Sequence, residues 1–128
     1  MNVKVNDLPP GRLLRVEPES KLADVAREMR HQDADSVAVM SDDRLVGIIT
    51  EADLVRAIAD GVNPKQASAA VIMTPDPATI DGDEDISVVA LKMINLGIRH
   101  LPVVDASGRP VGLISARNLV AVLDQARS

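Results

Sequence analysis

The sequence contains no cysteine and no aromatic residue, and each absence removes a group of functions. Without Cys, the chain has no disulfide, no thiolate nucleophile and no cysteine-ligated zinc. Without Phe, Tyr or Trp, it has no ring on which single-stranded nucleic acid stacks, and a bound purine must lie between aliphatic side chains. The two absences argue against many enzyme classes and against a stacking surface for nucleic acid.

Positive charge and long apolar segments are also scarce. The 128 residues carry a formal net charge of -5 and a pI near 4.9, which opposes the basic surface of a sequence-independent nucleic-acid binder. No apolar run approaches the ~20 residues of a membrane-spanning helix. The start, MNVKVNDLPPG, lacks the apolar region and cleavage site of a secretory signal. We expect a soluble, cytoplasmic, globular protein that binds neither nucleic acid nor membrane.

The sequence contains an internal repeat, in which one structural unit occurs twice. Two sets of apolar residues correspond at an offset of 64 positions, and each keeps the i, i+3, i+4, i+7 spacing of a helix with one buried face. A chain of this length is too short for two independent domains, so the repeats should form one body. The sets are Leu22, Val25, Ala26 and Met29, and Ile86, Val89, Ala90 and Met93.

Each of these helices is followed by a predicted hairpin and a second helix, so each unit reads as strand, helix, strand, strand, helix. The second hairpin turn is one residue longer, which moves the offset to 65. The predicted first strands are 13–16 and 78–80, and the predicted hairpin strands are 37–40 with 45–49 and 101–104 with 110–114.

The segment between the units has the pattern of a helix. Asn63 followed by Pro64 is typical of an N-cap and a first helical residue, and the TPDP stretch at 74–77 ends the helix. We therefore predict a first repeat at 8–62, a linker helix at 63–73 and a second repeat at 74–126.

The last helix has more apolar residues than its own core requires. Residues 119–123 read LVAVL, five apolar positions in succession. Two explanations stay open. Another copy of the protein covers this helix in a homodimer, or the helix is buried between the two repeats.

Similar stretches end the two hairpins: GIITEAD at 47–53 and GLISARN at 112–118. Thr50 and Asp53 have the spacing of a helix capping box, and Ser115 with Asn118 is a weaker version. The same geometry suits a nucleotide, because a helix N-terminus binds phosphate and a carboxylate one turn later can accept both hydroxyl protons of a ribose. The residues alone allow a cap or a ligand site.

The duplicated unit, the segments MTPDPATI and HLPVVDASGRPVGLIS, and the two G-h-h-[ST]-x-x-[DN] endings resemble the cystathionine-β-synthase-type (CBS) domain, as a tandem pair or Bateman module. The resemblance implies an α+β (α/β-like) fold in which residues 1–128 form one CBS-pair module. Its two βαββα repeats would pack through their sheets about a pseudo-two-fold axis, with two clefts between them. It further implies an adenosyl ligand (AMP, ADP, ATP or S-adenosylmethionine), a homodimer and a regulatory role without catalysis.

Carried over residue by residue, the resemblance implies a first cleft suited to an adenosyl group of little negative charge. Thr50 matches the phosphate-side hydroxyl and Asp53 the acid that holds the ribose. Asp35 stands where a basic phosphate contact is common, and its carboxylate would repel a polyphosphate. The apolar positions around the base are Ala78 and Ile98.

The resemblance implies a second cleft that favours an anion. Ser115 matches the phosphate-side hydroxyl, and Arg99 with His100 matches the basic pair, although both are also ordinary residues for the surface before a strand. Asn118 replaces the ribose acid, and the lost charge-assisted hydrogen bond costs about 1–3 kcal/mol, or ~10-fold in affinity. The apolar positions beside the base are Leu14 and Ala34.

We expect a stand-alone ligand sensor that regulates another protein and has no catalytic residue, no catalytic cofactor and no metal site. The DGDED stretch at 81–85 lacks the ligand spacing of a calcium loop and suits the start of a helix, and His31 is far in sequence from His100. The alternative is a non-catalytic interaction or dimerisation scaffold, in which the clefts are structural or empty and Thr50 with Asp53 is only a cap.

Overall fold

The computed structural model describes residues 3–8 and 13–126, which form two compact units. The first unit contains residues 13–77, and the second contains residues 78–126 together with 3–8. Each unit has its own sheet and its own hydrophobic core. The expected α+β class is confirmed.

The first unit has a four-stranded sheet in the order β1-β2-β3-β4. Strand β1 is parallel to β2, and the other neighbours are antiparallel. Its helices cover a core that includes Leu22, Val25 and Ile49. The elements are β1 (Arg15–Val16), α1 (Leu22–His31), β2 (Ser36–Ser41), β3 (Arg44–Thr50), α2 (Glu51–Ala59), α3 (Ala69–Ile72) and β4 (Thr74–Pro75).

The second unit repeats this arrangement with three strands in the order β5-β6-β7. Each hairpin carries a register shift, after Val39 in one unit and after Val103 in the other, which again differ by 64 positions. The elements are a 3-10 turn (Val5–Asp7), β5 (Ile80–Asp81), α4 (Ile86–Leu96), β6 (His100–Val104), β7 (Pro110–Ser115) and α5 (Ala116–Ala126).

The predicted helices and hairpins of the two repeats are confirmed, with one correction to the buried stripes. Ala26 is exposed, whereas its counterpart Ala90 packs partly buried against the second core. The other three residues of the first stripe fill the core of their unit, and the single methyl group of Ala26 at the edge of the stripe does not reach it. In the last helix, Leu119 is buried and Val122 packs against the core, while Val120 and Ala121 are exposed.

The duplication includes a leading segment that the sequence pattern does not reveal. In each unit, this leading segment is an extended stretch followed by a helical turn. It forms backbone hydrogen bonds with the residues just before the first long helix. Every one of these hydrogen bonds has a counterpart 64 positions away in the other unit. In the second unit the bonds are Val5 N–H to Glu84 O, Ile86 N–H to Val3 O and Asn6 N–H to Gly82 O. Their counterparts in the first unit are, in the same order, Ala69 N–H to Ser20 O, Leu22 N–H to Ala67 O and Ala70 N–H to Pro18 O.

The leading segments connect the units in an interleaved order. Residues 3–8 precede the first unit in the chain but complete the second, and residues 67–77 precede the body of the second unit but complete the first. The chain therefore passes from one unit to the other twice, between residues 8 and 13 and after residue 77.

The helix predicted for residues 63–73 is much shorter in the structure, where only α3 is helical. The Asn63 carboxamide oxygen accepts the Lys65 N–H at 3.0 Å and forms a local turn. Ser68 then forms an extended bridge with Lys21, which requires a backbone conformation that a helix does not have. Pairing with the segment before α1 therefore interrupts the predicted helix.

Truncating Val5 should destabilise the protein, although the residue lies before the predicted start of the first repeat. Val5 is 7% exposed and belongs to the core of the second unit, so Val5→Ala should lower the free energy of unfolding by about 1–3 kcal/mol. Urea unfolding followed by circular dichroism measures this, since the chain has no aromatic fluorophore. Val71→Ala, at a side chain that is 68% exposed, is the control. Equal stability of the two variants would contradict the shared core.

The glycines of the two hairpins should differ in their tolerance of a methyl group. A Cβ on Gly47 would overlap the Met73 side chain and lie 3.0 Å from the Thr74 carbonyl, because β4 packs beside β3 there, whereas a Cβ on Gly112 meets nothing within 4 Å. Gly47→Ala should cost about 1–3 kcal/mol of unfolding free energy, and Gly112→Ala should be neutral or slightly stabilising. Thermal unfolding of both variants tests the contrast, which equal melting temperatures would refute.

Candidate functional site

In each unit, the second long helix starts at the end of the returning hairpin strand. The Glu51 N–H at the start of α2 donates to the Asp35 carbonyl at 3.1 Å, and the Ala116 N–H at the start of α5 donates to the Arg99 carbonyl at 2.8 Å. These bonds hold the residue before the hairpin next to the first turn of the helix. The structure therefore brings Asp35 to the α2 start and Arg99 to the α5 start.

The start of α2 is a complete capping box. The Thr50 hydroxyl oxygen accepts the Asp53 N–H at 3.3 Å, and Asp53 Oδ2 accepts the Thr50 N–H at 2.9 Å. Two backbone donors that a helix N-terminus leaves unpaired are thereby satisfied. The cap predicted from the sequence is confirmed, and within it the Thr50 hydroxyl only accepts.

The second carboxylate oxygen of Asp53 contacts a residue that the sequence analysis missed. Arg56 Nη1 lies 3.2 Å from Asp53 Oδ1, and the side chains are 69% and 13% exposed, respectively. Each Asp53 oxygen thus has one of these partners and keeps a second acceptor position. The i, i+3 spacing on α2 could have indicated this pair, and the corresponding residue in the second unit is Ala121.

The start of α5 has the same backbone cap with different chemistry. Asn118 Oδ1 accepts both the Ser115 N–H at 2.8 Å and the Ser115 hydroxyl at 3.0 Å, and the Asn118 N–H donates to the Ser115 hydroxyl oxygen at 3.3 Å. The two lone pairs of the Asn118 carbonyl oxygen are therefore used within the cap, and Ser115 donates its hydroxyl proton there. A ribose hydroxyl could be accepted only by exchanging one of these bonds.

The two helix starts also differ in neighbouring charge. His100 pairs with Ser115 across the second hairpin, at the position where Ser36 pairs with Thr50 in the first. The His100 Nε2 is buried from solvent, and the neighbouring Arg99 is exposed. The exposed basic residue Arg99 therefore stands before the hairpin at the α5 start, where the acidic Asp35 stands at the α2 start.

The four apolar site residues are divided between the units in equivalent places. Leu14 packs against the first core, whereas Ala78 and Ile98 pack against the second. The Ala34 N–H donates to the Met29 carbonyl at 2.8 Å, and the Ile98 N–H donates to the Met93 carbonyl at 3.0 Å, 64 positions later. Leu14 and Ala34 thus share a unit with Thr50, and Ala78 and Ile98 share one with Ser115. The predicted clefts, which join residues of both units, stay a prediction.

Two carboxylates outside these helix starts have lowered pKa values. The Ser87 hydroxyl and N–H donate to Asp85 Oδ1 at 2.7 and 2.9 Å, which lowers the pKa of Asp85 and caps α4. The Ser107 hydroxyl, at 2.7 Å, lowers the pKa of Asp105 in the β6–β7 turn in the same way. The acidic 81–85 stretch therefore forms the entry to a helix.

Residues 3–8 and 13–126 contain no group of three or more His, Cys, Asp or Glu residues placed to hold a metal ion. Over the same residues, every helix is too short or too polar to cross a membrane.

A family model for the CBS domain matches residues 5–60 and 68–125. The chain therefore belongs to the CBS-domain family and carries two copies of the domain in tandem. Both matches begin inside or next to the leading segments described above, at residues 5 and 68.

Relatives of known sequence differ in how much of their length the chain spans. A protein of Acidianus ambivalens is 32% identical over 96% of this chain and 74% of its own length. A protein of Methanopyrus kandleri is 29% identical over 94% of this chain, which spans only 63% of that relative. The homoserine O-acetyltransferase of Methanosphaerula palustris is 34% identical over 90% of this chain, which matches 23% of the enzyme.

Solved structures share the fold of the whole chain. The CBS domain pair of protein MJ0100, in complex with 5'-methylthioadenosine and S-adenosyl-L-methionine, has a TM-score of 0.90 at 24% identity and covers 98% of this chain and 99% of its own. A CBS domain protein of Pyrobaculum aerophilum complexed with AMP has a TM-score of 0.85 at 24% identity, covering 98% of this chain and all of its own. At this identity the likeness defines the fold.

Removing the Thr50 hydroxyl should destabilise α2 whether or not a ligand binds. Thr50→Ala deletes the acceptor of the Asp53 N–H and should lower the free energy of unfolding by about 1 kcal/mol. Val55→Ala, at a 69% exposed position of the same helix, should change it by less than about 0.5 kcal/mol. Urea unfolding compares the two variants. A Thr50→Ala variant as stable as the control would show that the cap contributes nothing.

Proposed function

We propose that this protein is a regulatory, ligand-sensing CBS pair that binds an adenosyl compound, namely AMP, ADP, ATP or S-adenosylmethionine. The observation that carries the proposal is the pair of matching helix starts, Thr50 with Asp53 and Ser115 with Asn118, which have the same backbone cap and different ligand chemistry. The related structures with AMP and with S-adenosyl-L-methionine support the ligand class.

At the α2 start, the chemistry fits the ribose and a weakly charged ligand. Asp53 keeps one acceptor position on each oxygen, enough for the two hydroxyl protons of a ribose diol. The Thr50 hydroxyl only accepts in the capping box, so its proton is available to a ligand. Asp35 beside this helix start disfavours a polyphosphate. We assign an adenosyl compound such as S-adenosylmethionine to this half-site.

At the α5 start, the chemistry fits an anion better than a ribose. Arg99 and His100 supply basic groups, and the backbone N–H groups of a helix N-terminus attract phosphate. The Asn118 oxygen is occupied by Ser115 and carries no charge. We therefore expect a phosphorylated nucleotide here, held more by its phosphate than by its sugar.

The proposed role is regulation of another protein from a cytoplasmic homodimer, without catalysis by this chain. A ligand changes a conformational equilibrium only by its different affinity for the two states, so the signal must be a change of repeat packing or dimer geometry that a partner contacts. The match to 23% of a homoserine O-acetyltransferase supports a module that accompanies a catalytic part.

A second candidate is an interaction scaffold whose clefts hold no ligand. The bonds already made within both caps favour it, because Asp53 and Asn118 have structural roles without any ligand. The scaffold predicts that substitutions at these positions affect stability alone.

Reciprocal exchange of the two polar residues separates the candidates. Asp53→Asn should weaken binding of S-adenosylmethionine about 10-fold, because one charge-assisted hydrogen bond is lost. Asn118→Asp should strengthen the contact with ribose at the α5 start and so raise affinity for AMP. Both variants should stay folded, since each places in one cap the residue that fills the other. Isothermal titration calorimetry with AMP, ATP and S-adenosylmethionine measures the changes.

Unfolding curves of the same variants provide the control for a purely structural effect. If no adenosyl compound binds the wild-type protein below about 1 mM, the sensing role is refuted and the scaffold remains. If ligands bind but both exchanges leave the affinities unchanged, the half-sites are assigned wrongly.

A further inference from the structure

The ion pair between Arg56 and Asp53 fixes the acid that we assign to the ribose. Asp53 Oδ2 accepts the Thr50 N–H at 2.9 Å, and Asp53 Oδ1 accepts a hydrogen bond from Arg56 Nη1 at 3.2 Å. Two bonds on different oxygens restrict the rotation of the carboxylate about its Cβ–Cγ bond, which is otherwise broad. The directions of the two unused acceptor positions are therefore set before a ligand arrives.

A second ion pair in the same unit has the same spacing but leaves its acid in water. Arg27 Nη1 lies 2.8 Å from Asp24 Oδ1 on α1, also three residues away. The two arginine side chains are similarly open, at 74% and 69% exposed, but the Asp24 side chain is 65% exposed and that of Asp53 is 13% exposed. Asp24 is thus solvated beside its partner, whereas Asp53 is held between its arginine and the backbone of the helix start.

The matched positions of the second unit differ from the first at both members of the pair. Asn118 corresponds to Asp53 at an offset of 65 positions. Ala121 corresponds to Arg56, so both charges are missing there. Because Asn118 uses its oxygen twice on Ser115, its carboxamide has only N–H groups left, which an arginine could not accept. The cation therefore accompanies the carboxylate and is replaced by a methyl group where the carboxylate is replaced.

The alternative role for Arg56 is direct contact with a ligand phosphate, which its position fits poorly. A helix N-terminus binds phosphate at the N–H groups of its first turn, but Arg56 is the sixth residue of α2 (Glu51–Ala59). Its Nη1 already donates to Asp53, and the α2 start has the acidic Asp35, which disfavours a phosphate. The contacts therefore favour an action of Arg56 through Asp53.

We propose that Arg56 is a positioning residue for ribose recognition at the α2 start, where it holds the Asp53 carboxylate in the orientation that accepts the two ribose hydroxyl protons. It contacts the acid and not the ligand, so its effect does not depend on a phosphate. The inference rests on the proposed function and adds a residue to its ribose site. Asn118→Asp alone therefore gives only part of the ribose contact, because Ala121 supplies no cation to orient the new carboxylate.

Removal of the guanidinium should weaken ligands that have a ribose and no phosphate. Arg56→Ala should raise the Kd of adenosine and of S-adenosylmethionine by about 3- to 5-fold, the range for an ion pair with one exposed partner. Arg56→Lys keeps a cation on the helix and should restore most of the affinity. The matched control is Arg27→Ala, which removes the same charge and an ion pair of the same spacing and should leave both constants unchanged. Isothermal titration calorimetry measures them.

A double-mutant cycle tests whether Arg56 acts through Asp53. In the Asp53→Asn background, Arg56→Ala should no longer change the affinity for S-adenosylmethionine. At the other helix start, Asn118→Asp/Ala121→Arg should bind AMP about 3- to 5-fold more tightly than Asn118→Asp. Thermal unfolding is the structural control, and the melting temperature of Arg56→Ala should stay within about 3 °C of the wild type.

The outcomes separate this inference from the proposed function. An unchanged affinity in Arg56→Ala, an equal loss in the Asp53→Asn background, a loss confined to AMP or an equal loss in Arg27→Ala would each overturn the positioning role and leave adenosyl binding in place. A wild type that binds no adenosyl compound below about 1 mM would refute the proposed function, and the positioning role with it.

Discussion

The structure depends on a short backbone pairing that occurs once in each unit, between a leading segment and the residues before the first long helix. In the second unit the pairing places Val5 in the same core as Leu119 of α5, and in the first it places Ala69 in the same core as Ala57 of α2. The helices that carry the candidate half-sites therefore share their hydrophobic cores with these leading segments. Because each half-site is the N-terminus of such a helix, the packing of the shared core helps to position it.

Most of the fold follows from side-chain periodicity, whereas the leading segments could not be found in that way. The helices and hairpins repeat apolar residues at fixed spacing, so the residue types indicate which positions are buried. Residues 3–8, VKVNDL, and 67–72, ASAAVI, have no identical residue at matched positions, and the apolar positions they share are too few to show a period. Their equivalence is clearest in the backbone hydrogen bonds, whose N–H donors every residue except proline can supply. The same pairing explains why the predicted linker helix is reduced to four residues.

The candidate site, too, has features that the sequence predicts and features that it does not. Spacing alone predicts that Thr50 and Asp53 cap a helix, and the charges of Asp35 and Arg99 are visible in the sequence. The sequence does not show which hydrogen-bond partner each of these polar groups takes. Asn118 uses its carbonyl oxygen twice within its cap, and Arg56 takes one oxygen of Asp53. These partners depend on side-chain conformation, which residue types restrict without fixing. Duplication preserved the backbone caps and left the surface chemistry free to diverge.

The interleaved order of the chain has a consequence for the time at which each unit can form during synthesis. The first unit needs only residues 13–77, so its contacts are complete before the body of the second unit has been made. Residues 3–8 are synthesised before the first unit, but their partners near residues 82–86 emerge much later, and the unit they complete extends to residue 126. At about 5–20 residues per second, the 49 residues from 78 to 126 take several seconds. Residues 3–8 thus leave the ribosome before the first unit and reach their place in the fold after it.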